Sequence, residues 1–245
     1  MPVDPRSRIV AAGFDAIVDR HLAWSAAIEG DPRADWLERF GALVARGGVV
    51  VELGCGAAPP STRWLADRYR LTGVDLSRGQ LERARATLPD ARFILADMTS
   101  VAFAPASLDG VVAIYAVSHV PRERHATLFR RIAGWLRPGG WFLTALGSAD
   151  DPGWTGQWLG VEMFFSSFDA ETNLRLLGDA HLDAAQAETV TMHEPDGDAT
   201  SCGCLRGGPD DAGLGDPPEM RCAVPSTNRG AGRYAAGHLR ISALP

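Results

Sequence analysis

The run Val49-Val50-Val51-Glu52-Leu53-Gly54-Cys55-Gly56 constrains this chain more than any other. Three β-branched residues and a leucine, with one acid among them, end at two glycines one residue apart. The pattern predicts a buried parallel strand that runs into a tight turn. A side chain at Gly54 or Gly56 would hold a ligand off the backbone, and glycine permits the close approach. Asp75 ends the next apolar run, Leu71-Thr72-Gly73-Val74. In a doubly wound sheet the carboxyl ends of neighbouring strands line one crevice. A carboxylate there can accept both hydroxyls of a ribose.

The rest of the chain can support such a sheet. Its 245 residues suit one domain with an appendage, and 46% hydrophobic content with 22% charge is enough for a real core. A net charge of −6 argues against a nucleic-acid substrate. No apolar run approaches membrane-spanning length, and Met1-Pro2-Val3-Asp4-Pro5-Arg6 carries no apolar signal core. A cytoplasmic protein with no membrane partner is the expectation. Cys55, Cys202, Cys204 and Cys222 do not form a disulfide framework.

Taken in order, residues 6–28 predict one or two helices over the sheet edge, with Trp24 read as core packing and the closing of a pocket as its alternative. Pro32 opens a second helix with the stripe Trp36, Leu37, Phe40, Leu43 and Val44. Short strands are expected to end at Asp75 and at Asp97, with Ser77 to Gln80 as a capping box between them. A fourth strand runs from Leu108 to Ala116, a helix from Pro121 to Leu136, and a fifth strand over Trp141-Phe142-Leu143-Thr144-Ala145-Leu146. His125 is expected to be exposed. Alternation of strand and helix predicts a parallel sheet with right-handed crossovers.

Residues 147–168 read as an irregular insertion with five aromatics, Trp154, Trp158, Phe164, Phe165 and Phe168, lying as a lid over the crevice. A helix from Asp169 to Gly178 and a sixth strand at 188–192 follow. After Thr200 the composition turns rich in glycine and proline. The domain is therefore drawn over 1–200, with 201–245 as a tail that is disordered or out of frame. Codons chosen for Ser201–Gly207 regroup, with one added base, to Phe-Leu-Trp-Val-Leu-Ala-Arg, a good buried strand. A zinc site from Cys202, Cys204, Cys222 and His238 matches no common finger spacing. No metal is expected.

These motifs together resemble the class I S-adenosylmethionine-dependent methyltransferases, small-molecule branch. The resemblance rests on Glu52-Leu53-Gly54-Cys55-Gly56, Gly73-Val74-Asp75-Leu76-Ser77, Ala96-Asp97-Met98, Ser118-His119-Val120-Pro121 and Leu136-Arg137-Pro138-Gly139-Gly140, in that order. It implies an α/β three-layer sandwich with strand order 3-2-1-4-5-6. The family's final antiparallel strand, between five and six, is expected to be missing or replaced here. It implies S-adenosylmethionine as cofactor and a small-molecule methyl acceptor. Glu52, Gly54, Cys55, Gly56, Asp75, Leu76, Asp97, Met98 and Tyr115 are the cofactor-binding candidates. Asp75 would hold the ribose diol, Asp97 the adenine amino group, and Met98 the ring. Ala58 departs from the family, where many members have a third glycine.

Methyl transfer from a sulfonium is an in-line displacement that needs alignment and exclusion of water. An oxygen or nitrogen nucleophile can also use a base, and His119, past the fourth strand at the crevice mouth, is the candidate. A hydrogen bond to a loop, or contact with the cofactor, is the other reading of His119. Two further classes compete. A nicotinamide-dependent oxidoreductase would want G-x-G-x-x-G running into a helix, but Pro59 and Pro60 stand there. A non-catalytic S-adenosylmethionine-binding protein would share every cofactor residue. Neither the acceptor nor the oligomeric state follows from these residues.

Overall fold

The computed structural model describes residues 4–208. Its frame is a seven-stranded sheet. The strands are β1 (Val49–Leu53), β2 (Arg70–Asp75), β3 (Arg92–Leu95), β4 (Leu108–Ile114), β5 (Leu136–Gly147), β8 (Asp183–Glu194) and β9 (Gly197–Gly207). A separate two-stranded ribbon is formed by β6 (Asp151–Trp158) and β7 (Val161–Ser167). The helices are α1 (Pro5–Ala16), α2 (Val18–Ala26), α3 (Arg33–Leu43), α4 (Pro60–Ala66), α5 (Arg78–Thr87), α6 (His125–Trp135) and α7 (Ala170–Asp179). Among the described residues no helix is long and apolar enough to cross a membrane.

The sheet order is β3-β2-β1-β4-β5-β9-β8. The first five strands pair parallel, as the apolar runs predict, and one core lies on each face. On one face α6 and α7 bury Phe129, Ile132 and Leu177 against Val111 and Phe142. On the other, α3 and α4 bury Trp36, Phe40 and Leu65 against Val50, Val112 and Leu143. Leu43, expected in the α3 stripe, is exposed. The helix expected from Pro121 is one short 3-10 turn, Arg122–Arg124, and then α6, in which His125 is buried rather than exposed; another 3-10 turn, Val117–His119, precedes Pro121. Its Nε2 bonds to the Val120 carbonyl at 2.9 Å, so the ring serves the loop rather than solvent.

Two expectations are corrected. Residues 147–168 are not irregular: β6 and β7 form an antiparallel hairpin, turned by Leu159 (φ 48°) and Gly160 (φ 76°). Both turn residues are left-handed, as a tight hairpin of right-twisted strands requires. The antiparallel strand expected to be missing is present. Residues 201–207, assigned to the tail, are the inner half of β9, which pairs with β5 from Trp141↔Gly207 to Gly147↔Ser201 and with β8 on its other side. No facing edges are left open there. Cys202 and Cys204 lie buried on one face of β9. The suggested remainder of the zinc set, Cys222 and His238, and the tail beyond residue 208 lie outside the described residues.

Candidate functional site

The site forms where β1, β2 and β4 end. The β1 end is drawn onto β2 by the Gly54 and Cys55 N–H groups, which both donate to the Val74 carbonyl, at 2.7 and 3.1 Å. Gly54 has φ 76°, and a Cβ there would sit 2.3 Å from the Ala116 Cβ. Its lack of a side chain is therefore demanded by the protein's own β4 end. Gly56 (φ 52°) is different: a Cβ there meets nothing nearer than Gln80 Oε1 at 3.7 Å. Ala58 adopts φ 56° without being glycine, a conformation that costs an L-residue about 1 kcal/mol or more.

Asp75 is buried at the heart of this turn. Its Oδ2 accepts the Gly56 N–H at 2.8 Å and its Oδ1 the Ser77 N–H at 2.9 Å. Burial pushes its carboxyl up, against the pull of those N–H groups. Two acceptor positions per oxygen leave room for a further donor on each. The Ser77 cap is formed, since Ser77 Oγ accepts the Gln80 N–H at 3.1 Å. The reciprocal half of the capping box is not: both polar atoms of the Gln80 side chain are buried without a partner, and the residue lines the cavity. Asp75 takes the Ser77 N–H in its place, and Asp15 of α1 accepts from Ser77 Oγ at 2.6 Å and from the Gly79 N–H at 2.8 Å.

These groups open into a cavity with about 1140 Å³ of empty space, mouth included. Of the sequence candidates, Gly54, Cys55, Gly56, Asp75, Leu76, Met98, Tyr115 and His119 line it together. Glu52 and Asp97 are not among its wall residues. Glu52 is buried, and burial pushes its carboxyl up to about 8. Asp97 has both oxygens taken, by Ser7 Oγ at 2.7 Å and by the Thr99 backbone and hydroxyl at 2.7 Å each. It anchors α1 and the turn after β3, and its Oδ2 accepts a single bond there.

His119 opens onto the cavity. Its Nδ1 lies 3.0 Å from the Phe164 carbonyl, which can only accept, so Nδ1 carries the proton and Nε2 keeps its lone pair. Burial lowers its pKa to about 4, so the ring is neutral at pH 7. Tyr115, at φ 58°, turns its hydroxyl toward Asp31 Oδ1 (3.2 Å) and Met192 Sδ (3.0 Å). Residues not foreseen as wall are Phe14 and His21 from α1 and α2, Arg33, Gln80, Met192 and Glu194. Trp24 also belongs to the wall rather than to the core. The helical spacing that placed these positions could not say that α1 and α2 cross the strand ends instead of the sheet edge.

Comparison with known proteins gives the following. Residues 50–140 match the family model described as a methyltransferase domain. The chain is 41% identical over 114 residues to the trans-aconitate 2-methyltransferase of Delftia acidovorans, covering 44% of this chain and 41% of that one. It is 31% identical over 158 residues to the 27-O-demethylrifamycin SV methyltransferase of Amycolatopsis mediterranei, covering 56% and 57%. The chain thus spans about half the length of the curated relatives it matches. A solved structure shares the fold at a TM-score of 0.65 and 19% identity, covering 86% of this chain and 93% of that one. It is the 1,6-didemethyltoxoflavin-N1-methyltransferase of Burkholderia thailandensis, with bound 1,6-didemethyltoxoflavin and S-adenosylhomocysteine.

Proposed function

We infer that this chain, a class I S-adenosylmethionine-dependent methyltransferase by its fold and by the domain matched over residues 50–140, transfers a methyl group to an oxygen or nitrogen of a small molecule. One observation carries the reading: the open backbone at Gly56, the buried Asp75 carboxylate and the unpartnered Gln80 amide meet at one end of a single cavity. That set fits the cofactor. Gly56 leaves room for a ligand against the main chain, Asp75 offers acceptors to a ribose diol, and Gln80 has a donor and an acceptor unspent.

S-adenosylmethionine, when bound, supplies a methyl carbon made electrophilic by its positive sulfur, which takes back the electron pair of the broken bond. The chain's own contribution is alignment and dryness. Gly56, Asp75, Leu76 and Met98 hold the cofactor end, and α1, α2 and the β6–β7 hairpin close over the other. The acceptor's proton passes to Nε2 of His119, whose neutral form is the one present at pH 7. The nicotinamide reading is disfavoured by α4, which begins at Pro60 and lacks an N–H where a pyrophosphate would be held. An acidic chain with free thiols fits a cytoplasmic enzyme without nucleic-acid or membrane partners.

The test is calorimetry and turnover with variants. Asp75→Ala removes a charged acceptor and should weaken S-adenosylhomocysteine binding by about 1.5–3 kcal/mol, or roughly ten- to a hundredfold. Unchanged affinity would count against the assignment. His119→Ala should leave that affinity near normal and lower turnover by about a hundredfold. Turnover that barely moves would mean that alignment alone carries the reaction. Binding without turnover on any acceptor would favour the non-catalytic reading.

A further inference from the structure

The wall of the cavity is rich in rings. Phe14 packs edge-on to His21 and to His119, each at 5.0 Å between centroids. Trp158, from β6, meets Trp24 at 5.2 Å and Phe165 of β7 at 5.4 Å, both nearly perpendicular. Phe165 in turn lies 4.6 Å from His119. Five separate elements thus contribute flat faces and edges to one wall, and all six side chains line the cavity.

The charge of this wall is as telling as its shape. Arg33 is the one arginine among the described lining residues, and the chain contains no lysine. The Arg33 guanidinium lies 2.8 Å from Asp31 Oδ2 and over the Tyr115 ring at 5.2 Å, while its Nε is buried without a partner. Both histidines are held neutral by burial, each at about 4. Glu194 adds a carboxyl to the same lining. A site that bound two or three carboxylates would need uncommitted cations in a bidentate geometry. Among its described lining residues this cavity offers only Arg33, which is shared with Asp31. Aromatic walls instead gain from offset or edge-on contact with another ring.

We propose that the acceptor is a planar, uncharged aromatic compound bearing a hydroxyl or ring N–H, and that this cavity disfavours polycarboxylates such as trans-aconitate. The inference rests on the methyltransferase reading and names its substrate class. It also sets this chain apart from the relative that it matches at 41% identity, whose printed name is trans-aconitate 2-methyltransferase.

The experiment is calorimetry on the full chain with three probes: S-adenosylhomocysteine, 2-naphthol and trans-aconitate. The expected result is binding of 2-naphthol at least tenfold tighter than trans-aconitate. Trp158→Ala should weaken 2-naphthol about tenfold or more while S-adenosylhomocysteine stays within about twofold. Trp158→Phe, which keeps a ring in place, should restore most of the 2-naphthol affinity and guards against a folding defect in the alanine variant. Trans-aconitate binding as tightly as 2-naphthol overturns the proposal, as does 2-naphthol affinity that ignores Trp158. If S-adenosylhomocysteine binds and 2-naphthol does not, the acceptor class alone is wrong. If neither binds, the cofactor reading falls with it.

Discussion

Glu52 stands between Val51 and Leu53 on the central strand, and its Oε2 is buried without a hydrogen-bond partner. Burial raises its pKa from 4.5 to about 8, so the folded chain holds a proton there that the unfolded chain has released. Stability from this group is complete below pH 4.5 and is lost as pH rises through about 8. His21 and His119 act the other way: both are depressed from 6.5 to about 4, so their contribution is complete above pH 6.5 and lost as pH falls through about 4. Stability should therefore peak near pH 6.5 and decline by about 2 kcal/mol toward pH 8. Glu194, raised to about 7, adds to the early part of that decline. Denaturant unfolding at pH 6.5 and 8.5 should show the decline in the parent and a much smaller one in Glu52→Gln. Equal declines would mean that Glu52 is already ionised in the fold. Residue identity alone marked Glu52 as part of a motif and Asp75 as a crevice acid. It could not show that Asp75 lines the cavity while Glu52 is buried outside that lining, because this depends on how the backbone turns at the strand ends.

The β6–β7 hairpin is seated on α1 through one close approach. A Cβ on Gly13 would lie 2.7 Å from Met163 Cε and 2.9 Å from the Glu162 carbonyl, and Met163 is fully buried. Gly13→Leu should force the hairpin outward at a cost of about 1–3 kcal/mol, or roughly 2–10 °C in Tm for a domain of this size. The emission of Trp154 and Trp158 should shift to the red as their contacts loosen. Gly134→Leu, on α6 with nothing within 4 Å of its Cβ position, is the control and should leave both signals in place. At this scale the parallel strands were legible because each is a short apolar run, and β1, β2 and β5 are closed by an acid or a glycine. The hairpin was not, because Leu159-Gly160 lacks the Asn or Asp that usually marks a left-handed pair. The β8–β9 turn was marked, by Pro195-Asp196-Gly197, but the change in composition after Thr200 outweighed it.

Over the whole molecule, β9 fills the place between β5 and β8 with an unusual set of side chains. Ser201, Cys202, Gly203 and Cys204 are small, and the Trp36 ring lies across Gly203, 2.3 Å from where a Cβ would stand. Arg206 is buried with its Nε unpartnered. An unsatisfied buried donor costs about 1–3 kcal/mol, so Arg206→Ala should raise Tm by roughly 2–10 °C. A lower Tm would show that the guanidinium is a net contributor to the sheet. The alternative-frame peptide places alanine at 206 but tryptophan at 203, where Trp36 would have to leave, so the single substitution is the cleaner measurement. The position of β9 also bears on the order of events during synthesis. A chain made from its N-terminus completes β1 to β5 long before residues 197–207 emerge, and until then the apolar Trp141–Gly147 edge has no neighbour on that side. Within the described strands β8 pairs only with β9, so β8 joins the sheet only through β9. Sheet closure is thus a late event of high contact order, and the nascent polypeptide carries a sticky, half-built edge that a chaperone or a second nascent chain can reach first.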